Sequence, residues 1–244
     1  MLKIESSLSK LAGQEQLYLT LRKKEGRLYT DEQVKELPQV AKKHPLAKEW
    51  KVRKHSAQRL IKYLAAKARP LKILEIGCGN GWLCHQLSYI PGTAITGLDI
   101  NTPELEQAVR LFGNTPSMNF IFGDIFEDIL LFEKYDAIIF ASSVQYFSNM
   151  VQAIDRVMPF LNKNAEIHII DSPIYKTERD AIEARERSKN YFEMNGVDEM
   201  AKYYHHHTYG FLQKFNHQVI RPGLSERLLG TGYFPWIIIK PRVF

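Results

Sequence analysis

Five apolar runs with strand character alternate along the chain with segments whose apolar residues recur every three or four positions. The runs cover residues 71–76, 94–98, 119–125, 135–141 and 165–170. Before the first run, Ala57, Leu60, Ile61, Leu64 and Ala65 form one face of a helix that starts near Trp50 and is closed by Pro70. The same spacing returns in Leu83, Leu87 and Ile90, after which Pro91-Gly92 turns the chain into the second run. Leu105, Ala108, Val109 and Phe112 mark a buried stripe that Thr102-Pro103 opens as N-cap and first helical position. Ser148 caps a further helix carrying Val151, Ile154, Val157 and Leu161. Residues 135–141 are apolar almost throughout, the character of a strand covered on both faces. This alternation predicts an α/β fold, a doubly wound parallel sheet with helices on both sides. Right-handed crossovers then set the loops after each strand along one carboxyl edge, where ligands of open sheets bind.

The two ends depart from the alternation. Residues 217–221 and 236–240 read as strands, separated by a stretch holding Gly223, Gly230 and Gly232. About 45 residues lie between Asp171 and His217, more than one crossover helix needs. Residues 177–192 predict one helix and 198–215 a second, together a small helical cap, residues 175–215, over the carboxyl edge. Residues 1–49 form an N-terminal extension of mixed character, with a short helix over 14–21. If it folds back, Tyr18, Arg22 and Tyr29, with His44-Pro45 and Trp50, close a pocket from above. Residues 50–244 form the main domain, with the cap as an insertion. No internal repeat or low-complexity stretch is visible.

A chain of 244 residues with 45% hydrophobic and 25% charged residues is of ordinary globular composition. Its formal net charge of +6 is concentrated over residues 42–72, where eleven Lys and Arg face the single acid Glu49. Such a stretch is either a docking surface for nucleic acid or an acidic partner, or a solvated helix face. Cys78 and Cys84 are too few and too close for a disulfide framework, and no His stands at zinc-ligand spacing from them. They read as reduced thiols of a cytoplasmic protein. The first 25 residues carry no secretory signal pattern, and no apolar run reaches the roughly 18 residues needed to span a bilayer.

The chemistry concentrates in Leu74-Glu75-Ile76-Gly77-Cys78-Gly79-Asn80-Gly81. A strand ends in an acid and a glycine loop, and a helix begins at Trp82. Glycines at such a turn let the backbone fold tightly and approach a ligand, with helix N–H groups aimed at it. Asp99 closes the second run 18 residues beyond Gly81. An acid about 20 residues after the glycine loop is where a ribose hydroxyl pair is held. The spacing is G-x-G-x-G, and the position of a third dinucleotide glycine is taken by Trp82, too bulky for close helix–strand packing. Glu75 would repel a pyrophosphate and suits a cationic ligand.

On these residues the chain resembles the class I S-adenosylmethionine-dependent methyltransferases, whose first motif is an acid-x-G-x-G-x-G stretch. The resemblance covers roughly residues 50–175 and, less closely, the final strands. It implies a Rossmann-like, seven-stranded, mostly parallel sheet, with an antiparallel last strand inserted beside the fifth. It also implies S-adenosylmethionine as cofactor and direct methyl transfer to an O or N acceptor, without a metal. By resemblance, Gly77, Cys78, Gly79 and Gly81 pack the backbone against the methionine and ribose portions, and Glu75 lies near the cationic amino acid end. Asp99 accepts the ribose hydroxyls and Ile100 lies along the adenine. Asp124 takes the adenine amino group with Ile125 beside it, and Ala141 and Ser142 pass under the methionine portion. Asp99 and Asp124 are equally of a type that caps a following helix.

The acceptor is less legible. By resemblance, the loop 143–147 presents groups toward the transferred methyl, which makes Tyr146 a catalytic candidate, and the cluster Tyr203-Tyr204-His205-His206-His207-Thr208-Tyr209 offers Tyr204 and His206 as further ones. A neutral His near pH 7 accepts a proton from a hydroxyl or ammonium nucleophile. The competing role for this cluster is a polar-aromatic seam between cap and core. Consecutive helical His cannot converge on a metal. A small-molecule acceptor is expected. The rivals are an RNA or protein methyltransferase docking through residues 42–72, and a non-catalytic nucleoside-binding protein. The chain lacks the Asn/Asp-Pro-Pro-aromatic and Pro-Cys signatures of base methylation, which disfavours nucleic acid.

Overall fold

The computed structural model describes residues 2–127, 133–228, 230 and 234–241. Gly232 lies outside them. Three helices, α1 (Leu2–Lys24), α2 (Asp31–Glu36) and α3 (Ala47–Ala65), precede the sheet. Then follow β1 (Lys72–Ile76), α4 (Trp82–Leu87), β2 (Ala94–Asp99), α5 (Thr102–Phe112), β3 (Met118–Phe122), β4 (Tyr135–Ala141), α6 (Met150–Val157) and β5 (Leu161–Ile170). The remainder comprises β6 (Ile174–Tyr175), α7 (Glu178–Met194), β7 (His207–Thr208), β8 (Asn216–Ile220), α8 (Leu224–Leu228) and β9 (Trp236–Lys240). Seven strands form one sheet in the order β3-β2-β1-β4-β5-β9-β8, and β9 alone runs antiparallel to its neighbours. The Rossmann-like expectation, with the last strand inserted beside the fifth, is met.

Strand alternation sorts the core into two layers. Ile73, Ala137, Ile139 and Ile238 face α3, α4 and α5, while Leu74, Ile76, Ile138, Phe140, Ile237 and Ile239 face α6. Glu75 shares its face with Ile73, so a carboxylate is carried into the layer beneath α4. Its thiol partner there is Cys84, whose Sγ donates to Glu75 Oε2 at 3.0 Å.

Several local expectations are corrected. Asn101, not Thr102, caps α5, because its Oδ1 accepts from the Glu104 N–H at 3.0 Å and moves Pro103 one place inward. Asn149, not Ser148, caps α6 in the same way, through the Gln152 N–H at 3.1 Å. Val109 is exposed, since the stripe of Leu105, Ala108 and Phe112 leaves it about 100° round the helix from Ala108. The helix expected over 198–215 is instead two 3₁₀ turns, Asp198–Tyr203 and Tyr209–Lys214, with β7 between them paired in parallel to β6. Tyr204 is extended and the His205 N–H donates to the Gln145 carbonyl at 2.7 Å, which breaks any helical ladder. The helix expected over 14–21 extends over Leu2–Lys24. Leu21, Phe192, Val197 and Met200 bury one another in a small core joining α1 to α7, with Leu17, Tyr18, Tyr146, Tyr203 and Tyr204 packed around it. Residues of α1 and of the stretch 192–204 thus share one small core.

Candidate active site

The glycine loop after β1 is held from three sides. Gly77 has φ 76°, and a Cβ there would lie 2.6 Å from the Ser143 Cβ in the loop after β4. Gly81 has φ 74°, and its Cβ would meet Phe120 and Ala108 at 2.9–3.0 Å. Both positions therefore require glycine for backbone conformation and for close approach. Asp99 fixes the loop from β2: its Oδ2 accepts the Gly79 N–H at 2.6 Å and its Oδ1 the Asn101 N–H at 2.8 Å.

These residues line a cavity of about 720 Å³ at the carboxyl edge. Its wall includes Glu75, Gly77, Cys78, Gly79, Asp99 and Ile100, and it continues past Asp124, Ile125, Ala141 and Ser142. Of the predicted cofactor residues only Gly81 is turned away, against Phe120 and Ala108. The Asp124 Oδ1 accepts from the Phe126 N–H at 3.0 Å, an Asx turn that holds its side chain in place.

Six acidic residues line this space, and burial raises three of them, Glu75, Glu104 and Asp99. Burial pushes Glu75 up to about 8, against the hydrogen bond from Cys84, with Asp99 pushing the same way. Burial, and next the charge of Asp99, raise Glu104 to about 7. Asp99 is itself raised by burial, against its backbone hydrogen bonds. A ligand carrying positive charge relieves all three. The donor set and the glycine cradle thus fit an ammonium- and sulfonium-bearing nucleoside. Burial also lifts Cys78 to about 11 and Cys84 well above the usual thiol range, so both are protonated structural thiols.

The roof over this cavity comes from the front of the chain. Tyr18, Arg22, Tyr29 and Trp50 all line it, as the fold-back expectation requires, whereas His44 is absent from its wall and lies tilted against Tyr29, ring centroids 6.0 Å apart. Tyr18 donates to Glu104 Oε2 at 3.1 Å, and Arg22 lies over the Tyr18 ring at 4.7 Å. Glu104, Arg27 and Arg53 escaped the sequence reading. Glu104 looks there like an ordinary first-turn acid, and the two arginines like members of basic stretches.

A second cavity of about 540 Å³ opens beside the first, between α1, α3 and α7. Arg22, Arg27, Arg53, Ser142 and Tyr146 line both. Arg27 forks onto Glu49 with two contacts of 2.6 Å, and Arg53 reaches Glu49 at 3.0 Å and the Ser142 Oγ at 3.1 Å. Burial works against the Glu49 charge, but the Arg27 hydrogen bonds and Arg53 outweigh it and hold the carboxyl at about 2. Ser142 (φ 56°) and Asp171 (φ 52°), at the ends of β4 and β5, are non-glycine residues in the left-handed region, and both line the second cavity. Such strain clusters at functional sites.

The catalytic candidates separate in space. Tyr146 lies on the seam between the cavities, and Tyr204 lines the second. His206 is on the wall of neither: it packs at a tilt between the Tyr175 and Tyr204 rings and shares a hydrogen bond of 2.9 Å with Ser188. Burial, then Arg185, pull it down to about 4. Of the basic stretch, Arg53, Arg59, Lys67, Arg69 and Lys72 each face a carboxylate within 2.8–3.6 Å, so much of its charge is compensated. Among the described residues no group of three His, Cys, Asp or Glu is placed to hold a metal, and no helix is long and apolar enough to cross a membrane.

A glycine turn after β1, an acid after β2 and this strand order define a methyltransferase-type Rossmann-like protein. The chain belongs to the methyltransferase domain family whose sequence model matches residues 67–220. Among curated proteins it is 29% identical over 117 residues to malonyl-acyl-carrier-protein O-methyltransferase 1 of Ilyobacter polytropus, covering 48% of this chain and 43% of that protein. It is 31% identical over 124 residues to the malonyl-acyl-carrier-protein O-methyltransferase of Halalkalibacterium halodurans, covering 46% and 45%. The matched stretch thus spans under half the length of these relatives. The plantazolicin methyltransferase BpumL in complex with SAH has the same fold, with a TM-score of 0.59 and 18% identity over 98% of this chain and 100% of that one. Magnesium protoporphyrin IX methyltransferase from Synechocystis PCC 6803, with bound SAH, gives 0.57 and 13% over 83% and 90%.

Proposed function

We propose that the chain is an S-adenosylmethionine-dependent methyltransferase that binds its cofactor in the first cavity and a small-molecule acceptor in the second. The observation that carries this reading is the seam of five residues lining both spaces. Bound at the glycine loop, S-adenosylmethionine supplies a methyl group activated on a sulfonium. The protein's own work is to hold, align and exclude water.

Asp99 takes the Gly79 and Asn101 N–H groups on its two oxygens, and its remaining acceptor capacity is open to the ribose hydroxyls. Glu75, beneath the turn, offers its charge to the amino acid end, and Ile100, Asp124 and Ile125 form the adenine side. Gly77, Cys78 and Gly79, with Ala141 and Ser142, take the methionine portion, and Gly81 supports the loop from behind. Tyr146, hydrogen-bonded by Arg22, positions the acceptor atom at the seam; Tyr204 shapes the acceptor cavity, with His206 behind it. Buried, protonated thiols support a cytoplasmic setting.

Two experiments test the reading together. Calorimetry with S-adenosylhomocysteine measures cofactor binding, and a labelled-methyl screen over small metabolites measures transfer. Binding without any transfer favours a non-catalytic nucleoside-binding protein, and loss of both ends the proposal.

A further inference from the structure

Five cations line the second cavity against three carboxylates. Glu25 and Glu49 are already engaged by Arg22, Arg27 and Arg53. The third carboxylate, Asp171, is buried, and the Ser56 hydroxyl donates to its Oδ1. Arg27 Nε lies 2.9 Å from Glu25 yet lacks hydrogen-bond alignment, so a buried guanidinium N–H is left unsatisfied. Arg53 uses Nε and Nη2 on Glu49 and Ser142, and its Nη1 has no hydrogen-bond partner among the described residues. Lys48 on α3 and Arg187 on α7 are exposed at the same cavity and make no ion pair among the described residues. The site therefore holds more positive charge than its own acids use.

The rest of the wall is mostly apolar or aromatic, with Leu21, Val52, Pro173, Ala184 and Phe192 away from the seam and Gln145 and Ser188 as its uncharged polar members there. No histidine lines it. Glu49 is locked between two arginines, Asp171 is buried and takes the Ser56 hydroxyl, and Tyr146 already accepts a hydrogen bond from Arg22 Nη2 at 2.9 Å. A hydroxyl or ammonium acceptor must lose a proton, and such an arrangement suits an acceptor that has none to lose. Planar guanidinium forks match a carboxylate.

Building on the proposed methyltransferase reading, we propose that the acceptor is an organic acid with an apolar body, whose carboxylate lies against the seam arginines and is itself methylated. A carboxylate oxygen forms a bond to the methyl carbon as the carbon–sulfur bond breaks and its electron pair goes to sulfur. No proton moves, and the anion and sulfonium become a neutral methyl ester and a neutral thioether. Loss of charge removes the acid's hold on the arginines and assists release. The exposed Lys48 and Arg187 raise the local concentration of anions at the entrance.

The test uses the full chain, methyl-labelled S-adenosylmethionine, and a panel of aliphatic and aromatic carboxylic acids beside their primary amides, together with the carboxylic-acid fraction of a cell extract. The expected product is an ester: mild alkali releases its label as volatile methanol, and the amides take up none. Arg187→Met, at an exposed position outside the cofactor cavity, raises the acid's KM several-fold. S-adenosylhomocysteine affinity stays unchanged, and the difference shrinks at high salt. Arg53→Met raises that KM tenfold or more, and Arg53→Lys recovers part of it. Label stable to alkali, or equal transfer to amides, overturns the carboxylate assignment. So does an absence of label in every acid while S-adenosylhomocysteine still binds. Failure to bind S-adenosylhomocysteine overturns instead the reading on which the assignment rests.

Discussion

Arg22 Nη2 donates to the Tyr146 hydroxyl at 2.9 Å, joining α1 to the loop after β4 across 124 residues. The contact makes the front helix a wall of the site. It also places a fixed positive charge where the two cavities meet. Tyr146→Phe removes the acceptor of a charge-assisted hydrogen bond, a change of about 1.5–3 kcal/mol. We expect kcat/KM for the acceptor to fall at least tenfold, with a smaller loss in S-adenosylhomocysteine affinity by calorimetry. Unchanged kinetics would remove Tyr146 from the transfer step.

Asp99→Ala deletes both the loop contacts to Gly79 and Asn101 and the proposed ribose acceptor. Cofactor affinity should weaken by about 1–3 kcal/mol, roughly 5- to 150-fold in Kd. Titration calorimetry reads this directly, and an unaltered Kd would count against the ribose assignment.

Gly81→Ala places a Cβ in the left-handed region within 2.9–3.0 Å of Phe120 and Ala108. Overpacking of this kind costs about 1–3 kcal/mol. Thermal unfolding should show a clear drop in Tm. A variant as stable as the parent would mean that α5 and β3 yield more easily than their packing implies.

Stability should decline with rising pH because of Glu75. Unfolded, this carboxyl ionises near its usual 4.5, whereas burial keeps it protonated in the fold until about 8. Between those values the folded state binds more protons, so stability is greatest below the window and is lost as pH rises through it. Glu75→Gln should flatten that loss in urea titrations of the ligand-free protein. Binding of cationic S-adenosylmethionine within the window should release protons, detectable by calorimetry in buffers of different ionisation enthalpy. A wild-type profile already flat from pH 5 to 8 would contradict the burial argument.

His206→Asn tests packing against catalysis. His206 packs between the rings of Tyr175 and Tyr204 and lines neither cavity. The variant should lower Tm while keeping kcat within a few-fold. A collapse of kcat at constant Tm would return it to the reaction.

Local patterns carried the sheet a long way. The runs at 135–141 and 236–240 became strands at those limits, and the run at 94–98 gained only Asp99, because period and β-branched content act over a few residues. Thr177 proved the N-cap of α7, with Asp180 completing a capping box. Caps failed by one residue at α5 and α6, where neighbouring positions hold equally able side chains and only the final backbone path chooses between them. The stretch 198–215 failed outright: its helix would have needed the N–H of His205, which a carbonyl 60 residues away holds instead.

What the sequence determined by itself was the order of strands and helices from α3 to β5, the bend at Gly77–Gly81 and the acid at Asp99, since each rests on neighbours along the chain. What the tertiary structure decided was the acceptor side. Arg22, Arg27, Arg53 and Tyr146 meet only after α1 folds over the carboxyl edge, and Glu104 joins Glu75 and Asp99 only once α5 lies beside the turn. Charges so far apart in sequence interact through space, and no spacing along the chain encodes their meeting.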